Sequence, residues 1–380
     1  MSQLIIEAAR VFDGSEMLEN HAIVLEQGRI TAILPLTEVP SGDTIALPDG
    51  VLAPGLVDLQ VNGGGGVMLD GDVTQDRLAT ICAAHAGLGA TSILPTLITD
   101  SFAATQTVLA AGVTAVGRVP GFAGLHLEGP HLDPKRPGCH PPGLIRPMDE
   151  GDIELLLEAK TGLPALIVTL SPASATPEQI ARLSDGGIIV SLGHSECSFE
   201  QAQSAVEAGA HMVTHLFNAM SQLSSRTPGL VGAALALPVS AGLIADGIHV
   251  HPETIRLALA AKQRGDLFLV SDAMACAGSN MAEFDLAGRR ILRQNGALRL
   301  QDGTLAGADL SLPQAIRYMI ETVGVAPERA LAMATRIPAQ AIGAPLGRIA
   351  PGFPADLVHF DENWALTRVW QGGQAKSVTA

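Results

Sequence analysis

Four side chains that can bind a metal or move a proton stand at the ends of short apolar runs. Glu128 ends FAGLHLE, His194 ends IIVSLGH, His215 lies in HMVTHLFN, and Asp272 ends LFLVSD. Two imidazoles and one carboxylate can hold a divalent ion and leave one position open for water. A further carboxylate outside the ligand set can then take the proton of that water. These residue types predict a metal-assisted hydrolase, with Asp272 as the base.

The elements that position these residues are eight apolar, strand-length runs that alternate with helical patterns. The spacing between them is that of βα units, and runs apolar along their whole length are typical of parallel strands covered on both faces. We therefore predict a (β/α)8 TIM barrel, with the candidate residues at its C-terminal mouth. The runs are LVDLQV, ATSILPTL, FAGLHLE, ALIVTLSP, IIVSLGH, HMVTHLFN, SAGLIADG and LFLVSD.

Both ends of the chain have a different, β-rich and turn-punctuated pattern. Residues 1–52 and 345–380 are predicted to join into a second, small β-sandwich domain, and residues 53–344 to form the catalytic barrel. After LFLVSD, the segment DLAGRRILRQNGALRLQDGTLAG carries NG and DG turns and predicts a β-hairpin excursion. Ser198, with Gln201 three residues later, is predicted to begin a helix as a capping box.

Composition excludes several classes of protein. The 380 residues carry a formal net charge of −15, and no basic stripe is present that would bind nucleic acid. Four scattered cysteines without CxxC spacing argue against a disulfide framework. The uncharged stretch 227–245 is interrupted by prolines and glycines, so we expect a buried loop, helix and strand there, not a membrane span. With no signal peptide recognised, a cytoplasmic location is expected.

An ordered set of motifs resembles one family. APGLVDLQVNGGGG, HLEGPHL, SLGHS, THLFNAM, RTPGL, ADGIHV, VSDAMA, LAG and PGFPADLV follow one another along the chain. Together they resemble the N-acetylglucosamine-6-phosphate deacetylases of the amidohydrolase superfamily. The resemblance implies release of acetate from N-acetyl-D-glucosamine 6-phosphate, a phosphorylated amino sugar, to give D-glucosamine 6-phosphate. Asp272 would then serve first as base and afterwards as acid toward the departing amine.

The resemblance also implies a substrate pocket. His140 is expected to polarise the acetyl carbonyl or steady the oxyanion. Arg226 is expected to bind the phosphate because a guanidinium matches oxyanions in a fixed fork. The other residues implied as substrate contacts are Cys139, Asn218, Ala219, His249, Leu305, Ala306 and Gly307. Family members are usually dimers, so we expect a homodimer in which a basic residue of the phosphate site comes from the neighbouring subunit.

One departure from the wider superfamily concerns the number of metal ions. Many members carry HxH after the first barrel strand, whereas this chain has Gln60-Val61-Asn62. Amides are weak ligands for a borderline metal, so Gln60 and Asn62 are predicted to be a vestigial second-metal position. We expect one divalent ion per subunit, with Zn²⁺ and Fe²⁺ as the leading candidates.

Two further residues depart from the family, and other functions stay open. His131 stands where relatives commonly have a bulky aromatic residue, and Cys139 is an unusual small residue before His140. A galactosamine-phosphate deacetylase is an alternative. A dihydroorotase-like enzyme is another alternative. It would need HxH after the first strand and a bridging lysine at the end of the fourth strand, and this chain has neither: the fourth strand reads ALIVTLSPAS. A non-catalytic sugar-phosphate sensor could dispense with Asp272 or a ligand, and here all four residues are present.

Overall fold

The computed structural model of the chain describes residues 3–286 and 288–379. It confirms the predicted architecture, an eight-stranded parallel barrel sheet together with a separate sheet built from both chain ends. The predicted domain boundaries, at 52/53 and 344/345, stay a prediction. None of the helices among these described residues is long and apolar enough to cross a bilayer.

Five strands open the chain, where turn residues punctuate short β-prone segments. β1 pairs antiparallel with β2 and parallel with β4. A short 3-10 turn, Leu36–Glu38, lies before β4. The strands are β1 (Leu4–Phe12), β2 (Met17–Glu26), β3 (Arg29–Pro35), β4 (Asp43–Leu47) and β5 (Val51–Pro54).

The eight barrel strands follow, and each coincides with one of the predicted apolar runs, although the second strand, Ala90–Ile98, extends one residue past its run. Neighbouring strands pair in parallel in chain order, and a small hairpin, β7 with β8, interrupts the first unit. The strands up to the end of the barrel are β6 (Leu56–Val61), β7 (Gly63–Gly64), β8 (Val67–Met68), β9 (Ala90–Ile98), β10 (Leu125–Glu128), β11 (Leu166–Leu170), β12 (Ile189–Leu192), β13 (Met212–Val213), β14 (Ser240–Leu243) and β15 (Leu267–Leu269).

The segment after β15 closes the barrel against β6. The Asp272 backbone N–H donates to Gln60 O at 3.0 Å, and the Asn62 N–H donates to Ala273 O at 2.8 Å. The Asp58 carboxylate also accepts a hydrogen bond from the Ser271 N–H. This closure brings the residues after the first and last barrel strands side by side.

Helices connect the strands, and most begin at a polar cap that satisfies their first N–H groups. The predicted capping box of Ser198 and Gln201 is confirmed at the start of α5. A 3-10 turn, Pro142–Leu144, lies in the loop before α3. The helices of the barrel are α1 (Gln75–Gly87), α2 (Phe102–Ala115), α3 (Glu150–Lys160), α4 (Pro177–Asp185), α5 (Phe199–Glu207), α6 (Gly229–Ala236) and α7 (Pro252–Ala261).

The predicted hairpin after the last barrel strand is a four-stranded antiparallel sheet, which we call the excursion sheet. It comprises β16 (Glu283–Leu286), β17 (Arg289–Gln294), β18 (Ala297–Leu300) and β19 (Leu305–Ala308). Its apolar face packs on the loop that follows Asp272, through Met274 and Cys276. Helices α8 (Leu312–Tyr318), α9 (Pro327–Ala334) and α10 (Arg336–Ala341) follow, with a π-helical turn at Met319–Val323.

The tail returns to the N-terminal strands, as predicted. β20 (Leu357–Phe360) pairs antiparallel with β5, and β21 (Leu366–Gln371) and β22 (Gln374–Lys376) extend the sheet. All eight strands of this chain-end sheet are joined by hydrogen bonds. Its apolar core is separate from that of the barrel and contains Ile6, Leu357 and Trp370.

Candidate metal centre and active site

The four candidate residues lie where the barrel strands end. Glu128 is the last residue of β10, while His194, His215 and Asp272 follow the ends of β12, β13 and β15. All four side chains are buried. In barrels of this kind, residues at this edge of the strands point into the mouth, where catalytic groups collect.

The backbone turns sharply at three of these positions. His194, His215 and Asp272 have φ values of 44°, 27° and 51°, in a region that non-glycine residues seldom occupy. Such conformations cost roughly 1–3 kcal/mol each and persist where the surroundings hold them. At Asp272, the carbonyl accepts the Ala308 N–H at 2.9 Å. The strained positions coincide with the residues whose types predicted chemistry.

Three potential ligand atoms converge at the mouth. Glu128 Oε1 lies 2.9 Å from His215 Nε2 and 3.3 Å from His194 Nε2. The two ring nitrogens are 3.1 Å apart, and one ligand atom from each of the three residues lies within 4.8 Å of the others. A carboxylate oxygen and two imidazole nitrogens so placed suit one divalent cation.

The hydrogen bonds and charges of the three ligand residues also suit a bound cation. His194 Nδ1–H donates to the Arg136 carbonyl at 2.9 Å, which leaves Nε2 as the atom with a free lone pair. Burial opposes ionisation of Glu128, but its hydrogen bonds with His194 and His215 outweigh burial and hold its pKa well below the usual range. Burial likewise opposes protonation of His215, yet Glu128 raises the pKa of that imidazole. A cation would therefore replace a proton that this site already favours.

Asp272 has a different environment from Glu128. Burial, followed by the negative charge of Glu128, raises its pKa to about 6. Its Oδ1 accepts hydrogen bonds from the side-chain amides of Gln60, at 3.2 Å, and Asn62, at 2.7 Å. A carboxylate with a pKa near neutrality can both accept and return a proton.

His140 is held with a defined ring nitrogen facing the centre. Its Nδ1 accepts the Thr99 backbone N–H at 3.2 Å and lies 2.8 Å from the Thr99 hydroxyl. Burial, helped by the nearby His194, lowers the His140 pKa to about 3, so the ring is neutral. The proton therefore resides on Nε2, which lies 3.7 Å from Glu128 Oε2.

One cavity of about 380 Å³ unites most of the predicted residues. Glu128, His194, His215, Asp272 and Asn62 line it on the barrel side. Of the substrate contacts implied by the family resemblance, those that line this cavity are Cys139, His140, Asn218, Ala219, His249, Leu305 and Gly307.

Two predicted contacts do not line this cavity. Ala306 is fully buried and packs in the apolar cluster of the excursion sheet, because alternate residues of β19 face opposite sides. Arg226 is exposed and is not among the lining residues, so its predicted phosphate contact stays a prediction.

Other lining residues were not predicted from the sequence. Lys135, Arg136, Met274 and Thr304 also line the cavity. The KR pair immediately before PGCH was a signal that could have been used in a chain with so few basic residues. Arg136 also forms an ion pair with Glu196.

Three further histidines have structural surroundings. His126 lies deeper in the barrel, as predicted, and its ring bridges the Leu59 carbonyl and the Thr169 hydroxyl at 2.9 and 2.7 Å. His131 is buried, with its Nε2 3.6 Å from Asp152. His251 caps the start of α7 by accepting the Glu253 N–H. The four cysteines, Cys139 included, are free thiols.

Comparison with known proteins identifies relatives over the whole chain. A model of the amidohydrolase family matches residues 51–379, and a model of the NagA composite domain matches residues 6–47. An N-acetylgalactosamine-6-phosphate deacetylase from Shewanella sp. (strain ANA-3) is 41% identical over 98% of this chain and 95% of that protein. The N-acetylglucosamine-6-phosphate deacetylase of Haemophilus influenzae is 32% identical over 96% of this chain and 97% of that protein.

Solved structures agree with the sequence comparison. The crystal structure of N-acetylglucosamine-6-phosphate deacetylase from Pasteurella multocida has a TM-score of 0.94 and 32% identity, covering 98% of this chain and 99% of that one. A mutant of the Mycobacterium smegmatis enzyme in complex with N-acetyl-D-glucosamine-6-phosphate has a TM-score of 0.91 and 30% identity, covering 99% of each chain.

Proposed function

The chain belongs to the amidohydrolase family, and on that premise we propose that it hydrolyses the acetamide of N-acetyl-D-glucosamine 6-phosphate. The products are D-glucosamine 6-phosphate and acetate. The observation that carries the proposal is the convergence of Glu128, His194 and His215 beside Asp272 in one cavity. Full-length similarity to enzymes named for this reaction supports it.

Glu128, His194 and His215 would hold one divalent metal ion, Zn²⁺ or Fe²⁺. Once bound, such an ion supplies Lewis acidity that brings the pKa of a coordinated water toward neutrality. The protein contributes the convergence of the three ligands, the fixed tautomer of His194 and the exclusion of bulk water by burial. The amides of Gln60 and Asn62, in place of histidines, favour a single ion.

Asp272 is proposed to handle the proton in both halves of the reaction. It first accepts the proton of the attacking water and then donates it to the amide nitrogen, which leaves poorly unless it is protonated. Its pKa of about 6, raised mainly by burial, suits both roles near neutral pH.

His140 is proposed to bind the acetyl oxygen. Thr99 occupies Nδ1, so the Nε2–H is the available donor. A neutral imidazole can stabilise negative charge on that oxygen as the amide carbon becomes tetrahedral, without adding a proton to it.

The rest of the cavity is proposed to bind the sugar phosphate. His249 is fixed by Asp246, whose Oδ2 lies 2.6 Å from its Nδ1, so its Nε2 is left to face the ligand. Asn218, Ala219 and the segment 305–307 are proposed as further contacts. We propose a homodimer in which the partner subunit supplies the exposed Arg226 to the phosphate site.

The C4 epimer, N-acetyl-D-galactosamine 6-phosphate, is a second candidate substrate. The specific observation in its favour is the 41% identity to the Shewanella enzyme, which is named for that sugar. The two sugars differ only in the orientation of one hydroxyl group, so the same catalytic residues serve either.

An acetate-release assay with both 6-phosphorylated sugars tests the proposal, together with elemental analysis of the purified protein. We expect release from at least one of them, with one divalent ion per chain, and little release from unphosphorylated N-acetylglucosamine. The ratio of kcat/KM for the two epimers assigns the substrate. A protein with its metal intact that releases acetate from neither sugar phosphate would refute the proposal.

A further inference from the structure

Two amide side chains from the first barrel strand and its end meet one oxygen of Asp272. Gln60 Nε2 lies 3.2 Å and Asn62 Nδ2 lies 2.7 Å from Asp272 Oδ1. Both amides are buried. They are far from Asp272 in the sequence and meet it only because the barrel closes between β6 and the segment after β15.

The orientation of both amides follows from chemistry. Carboxylate oxygens only accept hydrogen bonds when ionised, so each amide must present its NH₂ group to them. Gln60 uses one N–H for Asp272 and the other for Glu128 Oε1, at 3.0 Å. Asn62 lines the cavity, and among the residues that the structure describes its Oδ1 is buried without a hydrogen-bond partner.

We propose that Gln60 and Asn62 form an amide clamp that positions Asp272, and that the clamp selects the oxygen used for proton transfer. The clamp occupies Oδ1, so Oδ2 is the oxygen that we assign to proton transfer. This inference rests on the proposed function and assigns these two residues a present role, not that of a vestigial metal position.

The clamp fixes the carboxylate by more than one contact. Backbone hydrogen bonds between Asp272 and Gln60, and between Asn62 and Ala273, hold the same two segments together at 3.0 and 2.8 Å. Two donors on Oδ1 resist rotation of the carboxylate. Gln60 also lies between Asp272 and Glu128, and its N–H groups partly offset the repulsion between these two acidic groups. Gln60 and Asn62 are thus positioning residues, since they act through Asp272.

The test is Asn62→Ala, which removes the shorter contact, with Asn62→Ser as a second variant and Asn363→Ala as control. Asn363 is exposed and lies in the turn between β20 and β21 of the chain-end sheet. We expect kcat of Asn62→Ala to fall by about 10- to 100-fold because misplaced catalytic groups are slow. KM should change by less than about threefold, and the acid limb of the kcat profile should move to higher pH because a hydrogen bond that favours the ionised form is lost. Metal content should match that of the control.

Two measurements test the clamp independently of enzyme activity. The ¹³C resonance of the Asp272 carboxyl in metal-free protein should titrate at higher pH in Asn62→Ala than in wild type. A crystal structure of the wild type should show both amides on one oxygen of Asp272, and that of the variant should show the carboxylate rotated.

These outcomes separate the clamp from the deacetylase proposal. If the wild type releases no acetate from either sugar, the proposed function fails, and the titration and crystal structures still decide the clamp. Unchanged kcat and an unchanged Asp272 titration in Asn62→Ala would overturn it. So would a second ion bound between Gln60, Asn62 and Asp272 in crystals soaked in metal, or a loss of activity in the variant that added metal fully restores.

Discussion

The mouth of the barrel and the chain-end sheet bury their side chains to a similar degree, but the buried groups are ionisable in the mouth and apolar in the sheet. Glu128 and Asp272 in the mouth are 2% and 8% exposed, and Leu357 and Trp370 in the chain-end sheet are 0% and 1% exposed. In the mouth, burial surrounds ionisable groups that contact one another, and the backbone is left-handed at His194, His215 and Asp272. In the sheet, burial brings apolar side chains into one cluster.

This difference predicts how each region responds to change. Buried polar groups in the mouth set pKa values and orient donors, so their replacement should alter chemistry more than stability. Apolar groups in the chain-end sheet contribute mainly through burial, so their replacement should alter stability more than chemistry.

The largest effect is expected from Asp272→Asn in the mouth. The amide cannot accept the proton of water, so kcat should fall by about 10³-fold or more. Metal content and binding of the sugar phosphate should be retained, as measured by elemental analysis and calorimetry. Turnover within tenfold of wild type would exclude Asp272 as the base.

Trp370→Ala tests the other side of the comparison. Trp370 is among the largest fully buried side chains, and its removal should lower the free energy of unfolding by about 3–5 kcal/mol. The kcat of the folded fraction should stay within about twofold of wild type. Leu257→Ala is a matched control because Leu257 is 70% exposed. A large loss of kcat with little loss of stability in Trp370→Ala would contradict the proposed difference between the two regions.

Thr214→Val probes the polar layer of the barrel interior, next to the metal ligand His215. The Thr214 hydroxyl lies 2.6 Å from both the Thr169 and Ser191 hydroxyls, and Thr169 continues to His126. Valine keeps the volume but removes these hydrogen bonds, so denaturation of metal-free protein should show a loss of about 1–3 kcal/mol. Metal affinity should fall as well, because Thr214 precedes His215. Unchanged stability and affinity would show that this hydroxyl chain contributes little.

The last effect concerns stability alone, depends on pH, and is expected from Asp58→Asn. Burial raises the Asp58 pKa from its ordinary value of 3.8 to about 7. Between these values the folded state retains a proton that the unfolded state has lost, so this group makes unfolding easier as pH rises. Asparagine does not titrate. The stability of the variant relative to wild type should therefore increase from pH 4 to 7, by about 1 kcal/mol or more. A pH-independent difference in Tm would contradict the shift.

Much of the barrel could be predicted because each strand is a short apolar run, and the site because its residues follow the ends of those runs. Glu128, His194, His215 and Asp272 meet at one edge through topology alone. Contacts that form only when the barrel closes were harder to predict from the sequence. Gln60 and Asn62 appeared only as substitutes for metal ligands, and nothing local indicates that both amides bind Asp272.

Loops account for the other differences. Lys135 and Arg136 line the cavity through a loop whose path no periodicity indicates. The excursion sheet was expected as a hairpin from its NG and DG turns, and the structure adds two more strands. Ala306 was predicted to contact substrate together with its neighbours in the LAG motif. Successive side chains of a strand point to opposite faces, so Ala306 faces away from the cavity.

The proposed chemistry depends most on a single ion held by Glu128, His194 and His215. Calorimetric titration of metal-free protein with Zn²⁺ tests this directly, in wild type and in His215→Ala. We predict one tightly bound ion per chain in the wild type, recovery of acetate release as that equivalent is added, and loss of tight binding in the variant. Two equivalent ions in the wild type, or tight binding that survives in the variant, would contradict the account.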